Sequence, residues 1–576
     1  MKLSFPSSFN LQNLSLKSIT KSLGQQHQPM YSSSSSSSSS LIWFIIILQY
    51  FLHQSIIQVV NAIDNGHISS SSSNGGGGGS GNSCPVRSLI KPCLCNEITK
   101  GLEIICEGVQ LEMLKEIFDR LPVNNNNKNG GGGGEHQKNQ RTTIMYLKMK
   151  NNHIHSFPAR LLNNINVRHL MAHNCNMIAV DSDAFLSIHD QIESLDLSHN
   201  KFQKIPDALK GLSTLVSLNL NYNEIETIEP DQFDGLESLL RLSLFGNRIF
   251  AVHERAFIGI GPNVTQVNLG GNELSRIPSD SLQYLGSLQR LQLHENRIHT
   301  ITRMDLKHLH QLAHLDVLIL ANNLIKQLDA NIFADLSVLN YIDLESNQIS
   351  MIDEQAFNGI EKTLEWLKLD NNQLQTIPSN ALRKITRLRQ LDLKNNQIEH
   401  IDRHSFESYG KNIKFLYLQK NRIQHIDDQA FESFESLEWL YLHSNHLQRL
   451  SRKLFEKVID KNLTILDLHD NPFICNCELN WYKQWIEDNE KNQMSHIWKE
   501  TKCYYYDDDD NYNDNEPVSI MDQQQQQQQQ QKQRKREIFL TEMDKMIECH
   551  AFTMDRLSMT TLLTMTMMMT IIITSI

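Results

Sequence analysis

Between about residue 142 and residue 474 the chain repeats one unit, L-x-x-L-x-L-x-x-N-x-L, and that repetition limits its fold more than any other feature. The unit is clearest in Leu215, Leu218, Leu220, Asn223 and Ile225, and again in Leu388, Leu391, Leu393, Asn396 and Ile398. Its asparagine stands at 152, 200, 223, 247, 272, 296, 323, 347, 372, 396, 421, 445 and 471, and Cys175 fills the one skipped slot. The array therefore has fourteen units, spaced by 23 to 27 residues. Leucines two apart point the same way from a short strand, and the strands of successive units are expected to pair in parallel. One unit alone cannot bury its apolar edge, whereas stacked neighbours bury a continuous one. The asparagine sits where the chain turns away from the strand. There its amide is expected to bond backbone groups of adjacent units, which would cost about 1–3 kcal/mol each if buried unpaired. Ten residues further on, eight units carry a phenylalanine expected to fill the convex side: Phe185, Phe233, Phe257, Phe333, Phe357, Phe406, Phe431 and Phe455.

An array exposes its first and last apolar layers, so both ends need caps. Eight of the nine cysteines cluster at the two ends of the repeats. Upstream stand Cys84, Cys93, Cys95 and Cys106; downstream stand Cys475 and Cys477, close to Trp481 and Trp485, then Cys503 and Cys549. Four cysteines allow three connectivities in each cap, and spacing does not choose among them. Zinc knuckles would want C-x-x-C pairs, whereas both close pairs here are C-x-C, so disulfides are the expected chemistry. That chemistry belongs to an oxidising compartment.

The period and pattern resemble the leucine-rich repeat family, and the ends resemble the cysteine-rich flanks of its secreted and cell-surface members. The resemblance covers roughly residues 84 to 552. It implies an α/β leucine-rich repeat solenoid, a horseshoe with a parallel concave β-sheet, an irregular or short-helical convex side and disulfide caps. It also implies first-to-third and second-to-fourth pairing: Cys84–Cys95 and Cys93–Cys106, then Cys475–Cys503 and Cys477–Cys549. The 45 residues between Cys503 and Cys549 exceed the usual flank, and tracts of Asp/Asn and Gln account for the excess. In character the chain is similar to arthropod-type extracellular proteins such as chaoptin, connectin and the repeat segments of Slit. Its amino-terminal flank, CPVRSLIKPCLC followed by GLEIICEGV, also resembles the non-catalytic subunit of the decapod Oplophorus luciferase.

Leu41 to Leu52 is an apolar run of 12 residues, short for a membrane span, and Val60-Asn61-Ala62 follows it. This reads as a secretory signal peptide ending at Ala62, with a retained signal anchor as the alternative. Met30 is an alternative start that leaves a 33-residue signal. Residues 557 to 576 carry no charge, a pattern shared by a lipid-anchor signal and a tail-end span. The expected map is 1–62 signal, 63–83 low-complexity linker, 84–122 amino-terminal cap and 123–141 Asn/Gly-rich insertion. Fourteen repeats follow over 142–474, then a carboxy-terminal cap over 475–552 with a disordered insertion at about 504–533, then an apolar tail over 553–576.

The net charge of −11 argues against a general nucleic-acid binder, which needs a basic face. His294-Glu295-Asn296-Arg297-Ile298-His299 superficially matches a zinc-protease motif, but its histidines are five apart and lie on a strand and turn. Gly259-Ile260-Gly261 lacks the rest of a dinucleotide loop. No enzyme, cofactor or metal site is expected. His199, His294, His443, His446 and His469 read as solvated surface, and Cys175 as a buried, inert thiol.

The expected working surface is the concave face, built by the variable positions between the leucines. Over repeats nine to thirteen the third position reads Tyr341, Trp366, Gln390, Phe415 and Trp439, and the fifth adds Tyr417 and Tyr441. Charges of both signs lie beside them: Asp343, Glu345, Lys368, Asp370, Asp392, Lys394, Lys414 and Glu438. Large aromatics with scattered charge are the composition of binding hot spots. Repeats three to six carry small or polar residues instead, among them Ser217, Asn219, Thr265, Asn268, Gly270 and Gly271, and form the weaker candidate. Asn263-Val264-Thr265 and Asn462-Leu463-Thr464 fit the glycan acceptor pattern just before a strand, so Asn263 and Asn462 are candidate glycan sites. The expected function is a secreted or cell-surface recognition or adhesion protein that binds an extracellular protein ligand or receptor through its concave face. Self-association and membrane attachment through the tail are further expectations. A secreted non-catalytic subunit that stabilises an enzyme partner is the alternative. A Toll-like receptor, which would need a signalling domain beyond Cys549, is a weaker third.

Overall fold

The computed structural model describes residues 83–121, 142–260, 262–489, 498–506 and 535–545, all within one compact unit, Gly81–Ile576. The expected signal, linker, Asn/Gly-rich insertion and tail lie outside the described residues, and so does Cys549. One sheet of sixteen strands runs the length of the described chain. Its first two strands, Leu94–Ile98 and Gly101–Glu107, form an antiparallel hairpin. The second of these pairs in parallel with Thr142–Lys150, the first repeat strand. From there each of the fourteen repeats adds one strand beside the last, ending at Ile465–Asp467. In a typical unit the middle strand residue is buried while its two neighbours face the concave surface, as in Trp366–Lys368 and Phe415–Tyr417. The register is unshifted from unit to unit, so equivalent residues stand side by side: Tyr341, Trp366, Gln390, Phe415 and Trp439 form one row.

The ladder asparagines hold this stack together. Asn372 donates through Nδ2 to the carbonyls of Leu344 in the preceding repeat (2.9 Å) and Leu369 in its own (3.0 Å). Its Oδ1 accepts the backbone N–H of Ile349 at 2.9 Å. One buried amide thus satisfies three backbone groups that no strand or helix would pair. The residue just before each ladder position takes left-handed φ, between 52° and 69°, in all fourteen repeats. Asn, Gly, Asp and Ser occupy most of these positions, as the local sterics favour. His199, Tyr222, Glu295 and Lys420 are the bulky exceptions. Cys175 is the free cysteine; it is buried and donates to the carbonyls of Met149 and His173, both at 3.4 Å. Burial pushes its thiol pKa up to about 11.

The convex side consists of turns and four-residue helices such as Ser279–Leu282 and Ser379–Leu382. The eight phenylalanines are buried beneath it. Where they fall in consecutive repeats their rings touch: Phe233 stacks on Phe257 at 5.9 Å and Phe333 on Phe357 at 5.8 Å, while Phe406, Phe431 and Phe455 meet tilted. At each end an amphipathic helix closes the core with three side chains at i, i+3 and i+4. They are Leu114, Ile117 and Phe118 from Leu111–Arg120, then Tyr482, Trp485 and Ile486 from Asn480–Asp488. Disulfides join Cys84 to Cys95, Cys93 to Cys106 and Cys475 to Cys503. Cys477 is also disulfide-bonded, and its expected partner Cys549 is outside the described residues. Tyr504–Tyr506, at the start of the expected insertion, belong to the strand Lys502–Tyr506. That strand pairs antiparallel with Lys535–Phe539. Cys503 is buried in that strand and stands opposite Ile538.

Candidate binding face

The row of third-position residues becomes a row of rings. Trp366 and Phe415 approach to 6.3 Å between centroids across Gln390, and Phe415 meets Trp439 at 4.5 Å. One strand position further along, Tyr417 stacks on Tyr441 at 5.3 Å with planes only 8° apart. The line then passes to imidazoles: Tyr441 meets His443 edge-on, and His443 stacks on His469 at 4.4 Å. All six predicted aromatics are half-buried, each with a face or edge open to the concave surface. Five of them are in ring contact. Tyr341 stands apart and donates its hydroxyl to Asp343 Oδ2 at 3.2 Å. Burial, then the Asp343 charge, pushes its phenol pKa up to about 12, so it stays a donor at any physiological pH.

The charges beside the rings are paired rather than scattered. Lys368 Nζ reaches Asp343 Oδ2 at 3.2 Å and Glu345 Oε2 at 2.8 Å. Burial opposes the Lys368 charge, but these two acids outweigh it and raise its pKa. Lys394 Nζ lies 2.9 Å from Asp370 Oδ2 and 3.7 Å from Asp392 Oδ2, and Lys414 pairs with Glu438 at 2.6 Å. Asp370 is fully buried and its Oδ1 has no hydrogen-bond partner. Burial and the neighbouring Asp392 raise its pKa, because one lysine is shared between two carboxylates. Across Asp343, Glu345, Asp370 and Asp392 there are only two ammonium groups, so the patch carries excess negative charge when ionised.

The histidines differ from the solvated reading. His199 and His446 are exposed, but His294, His443 and His469 are half-buried. Burial lowers the His443 pKa to about 4, so its ring is neutral near pH 7. His469 is held instead by Asp467, with Nδ1 2.5 Å from Oδ1. Where these last turns meet the carboxy-terminal cap, a cleft of about 750 Å³ opens between His469, Asp470, Lys502 and Tyr504.

A second line of rings lies in the half that sequence reading ranked lower. His173 meets His199 at 6.1 Å, His199 stacks on Tyr222 at 4.5 Å, Tyr222 meets Phe245 at 5.3 Å and Phe245 stacks on His294 at 5.2 Å. Four of these side chains come from the turn after the strand, not from the strand's outward positions, and His199 and Tyr222 occupy left-handed residues. Glycines make the room. A Cβ on Gly246 would stand 2.8 Å from the Tyr222 ring, and one on Gly270 would stand 2.5 Å from the His294 ring. The small residues of these repeats are therefore the floor beneath a rail of rings. Asn263 and Asn462 are both exposed in the turn before a strand, and Asn263 Nδ2 donates to the Glu237 carbonyl at 3.1 Å.

A continuous parallel sheet laddered by asparagine, with variable side chains on its concave face, defines a leucine-rich repeat solenoid, a fold built as a binding scaffold. In sequence, residues 190–249, 262–317 and 411–473 match the leucine rich repeat family, and residues 310–438 match the BspA type leucine rich repeat region. Among solved structures the chain is similar to a leucine-rich repeat protein of Leptospira interrogans, with 22% identity and a TM-score of 0.52. That match covers 66% of this chain and 86% of the other. It is also similar to TLR13 in the TLR13–ssRNA13 complex, at 22% identity and a TM-score of 0.51, covering 66% of this chain and 55% of that one. At such identities the likeness is one of fold. No curated protein matches the chain in sequence.

Proposed function

We propose that this is a secreted or cell-surface recognition and adhesion protein that grips a protein partner through the concave face of repeats nine to thirteen. The observation that carries this reading is the ring row Trp366, Phe415 and Trp439 beside the Tyr417–Tyr441 stack. Rings held by one another lose little side-chain entropy on binding, which is what a hot spot requires. The excess carboxylates next to them favour a partner that presents Arg or Lys, whose cation can lie over an indole while facing the acids. Disulfides in both caps support an oxidising, extracellular setting. Among the described residues no helix is long and apolar enough to cross a membrane. Attachment through the tail, self-association and glycans at Asn263 and Asn462 remain part of the proposal. The second reading, a stabilising subunit, rests on the expected resemblance of the amino-terminal flank to a luciferase's non-catalytic subunit, and co-purification with a catalytic chain would establish it.

Two experiments test this. The full chain, tagged just after Ala62 and expressed in an insect secretory host, is assayed in cells and medium with and without phosphatidylinositol-specific phospholipase C. Surface protein released by the lipase establishes a lipid anchor; protein free in the medium discards it; retention inside the cell overturns the extracellular reading. The labelled protein is then screened against cells displaying extracellular proteins, and the partner found is titrated with the Trp366→Ala, Trp439→Ala variant. Undiminished binding would remove the ring row as the site.

A further inference from the structure

Two histidines and an aspartate converge away from the concave face. His400 and His425 are directly opposite each other on the parallel two-residue strands His400–Ile401 and His425–Ile426. Adjacent strands lie about 4.8 Å apart, so equivalent side chains leave them side by side. The two imidazoles accordingly stack at 5.2 Å with planes 9° apart. Both present Nε2 to the same oxygen: Asp427 Oδ1 is 3.2 Å from His425 and 3.7 Å from His400. All three donor atoms lie within 4.8 Å of one another. The other carboxylate oxygen, Oδ2, accepts the backbone N–H of Arg403 at 3.1 Å, which orients Oδ1 towards the rings.

We propose that His400, His425 and Asp427 bind a divalent transition-metal ion of the zinc class, with one coordination position left open. Tetrahedral zinc holds nitrogen and oxygen ligands at about 2.0–2.2 Å, which sets ligand atoms about 3.3 Å apart. The two nitrogen–oxygen separations already approach that value, and the exposed rings close the remaining nitrogen–nitrogen gap by turning about their side-chain bonds. Imidazole with a single carboxylate selects zinc, copper or nickel over the hard cations, which want more oxygen. The Arg403 bond to the ligating carboxylate is the outer contact such sites use to hold a ligand in place. The histidine side chains are 49% and 69% exposed, so the open position faces solvent. That arrangement suits a ligand supplied by another molecule, and the metal would tie this flank to a partner while the concave face stays free.

The test titrates the full chain, freed of purification tag and stripped with chelator, with Zn²⁺ against a chromophoric indicator. The wild type is expected to bind one zinc ion more than the His400→Ala, His425→Ala variant, or to bind it at least about tenfold tighter. Identical stoichiometry and affinity in the two proteins would overturn the site, as would no binding by the wild type. Asp427→Asn, which keeps an acceptor for Arg403, should weaken the same equivalent. Should either variant fold poorly by circular dichroism, carbethoxylation of the wild type decides. Zinc should protect His400 and His425 together, and equal labelling with and without zinc would refute the proposal.

Discussion

The two halves of the concave side use one backbone to opposite ends. In repeats nine to thirteen large rings grow from the strands themselves, and half-buried lysines tie the acids between them. In repeats three to seven the outward strand positions are small or polar, and the rings come from the turn that follows, leaning back over glycines. The carboxy-terminal half thus presents a broad face of rings and negative charge. The amino-terminal half presents a narrow rail of imidazole and phenol at the edge of the sheet. A solenoid fixes where side chains start but not what they meet, so neighbouring repeats can be different surfaces without any change of fold.

The largest expected difference between the halves is in binding. Trp366→Ala with Trp439→Ala should weaken partner association by about 100-fold or more, since hot-spot truncations cost about 2 kcal/mol or more each. His199→Ala with Tyr222→Ala should change it by no more than about threefold. Surface plasmon resonance against the identified partner measures both, and thermal melts confirm that each variant is folded. Equal losses in the two pairs would mean that the partner spans the whole concave side, and the contrast between halves would lose its functional meaning.

The buried acid is where the two halves should differ in pH response. Burial and Asp392 raise the Asp370 pKa to about 7, above the roughly 3.9 of an unfolded aspartate. The folded state therefore holds this proton more tightly than the unfolded chain. Stability from this group is complete below about pH 4 and is lost as pH rises towards 7. Asp370→Asn removes the ionisation. The variant should match the wild type near pH 4 and exceed it at pH 8 by on the order of 2 kcal/mol in denaturant unfolding. A difference that does not grow with pH would show that Lys394 keeps Asp370 ionised at no cost.

In the amino-terminal half the sensitive element is space. Gly270 has ordinary φ, and the nearest atoms an alanine Cβ there would meet are those of the His294 ring, so Gly270→Ala should cost about 1–2 kcal/mol. Adding His294→Ala should recover most of that, a coupling of about 1 kcal/mol in a double-mutant cycle. Additive losses would mean that the glycine serves the backbone and not the ring.

The array was legible because translation repeats the same evidence: each leucine, ladder asparagine and convex phenylalanine is one of many in register, and errors at single units do not accumulate. The caps were legible in outline, since C-x-C pairs flanking a solenoid have few uses, although spacing alone left their connectivity open. The ring row was legible as composition. That Trp366 reaches Phe415 over Gln390, or that the acids are paired through Lys368 and Lys394, depends on side-chain direction and was not. The amino-terminal rail was hidden because it is made by left-handed residues and by glycines that look like absences of function. His400 and His425 left a trace that was missed. Each stands four residues after its ladder asparagine, and each is followed two residues later by an aspartate. Aligning units on the asparagine would have shown the pair.

The smallest effect concerns the ladder itself, which is asparagine throughout the carboxy-terminal half and is interrupted once in the other, at Cys175. The thiol is a weak donor, with both of its bonds at 3.4 Å, against 2.9–3.1 Å for the two carbonyl bonds that a ladder amide such as Asn372 or Asn396 makes to its own and the preceding repeat. Cys175→Ala should therefore cost only about 1 kcal/mol, whereas Asn372→Ala would leave the buried Ile349 N–H unpaired and would take from the Leu344 and Leu369 carbonyls one of the two ladder amides that each accepts. With its pKa near 11 and no exposed surface, the thiol should also resist a disulfide reagent in the native protein. One reactive thiol should appear on unfolding in guanidinium without reductant. Rapid labelling under native conditions would show that the second repeat opens locally, which would make the interruption a weak point in the amino-terminal half and extend the contrast between halves from surface chemistry to stability.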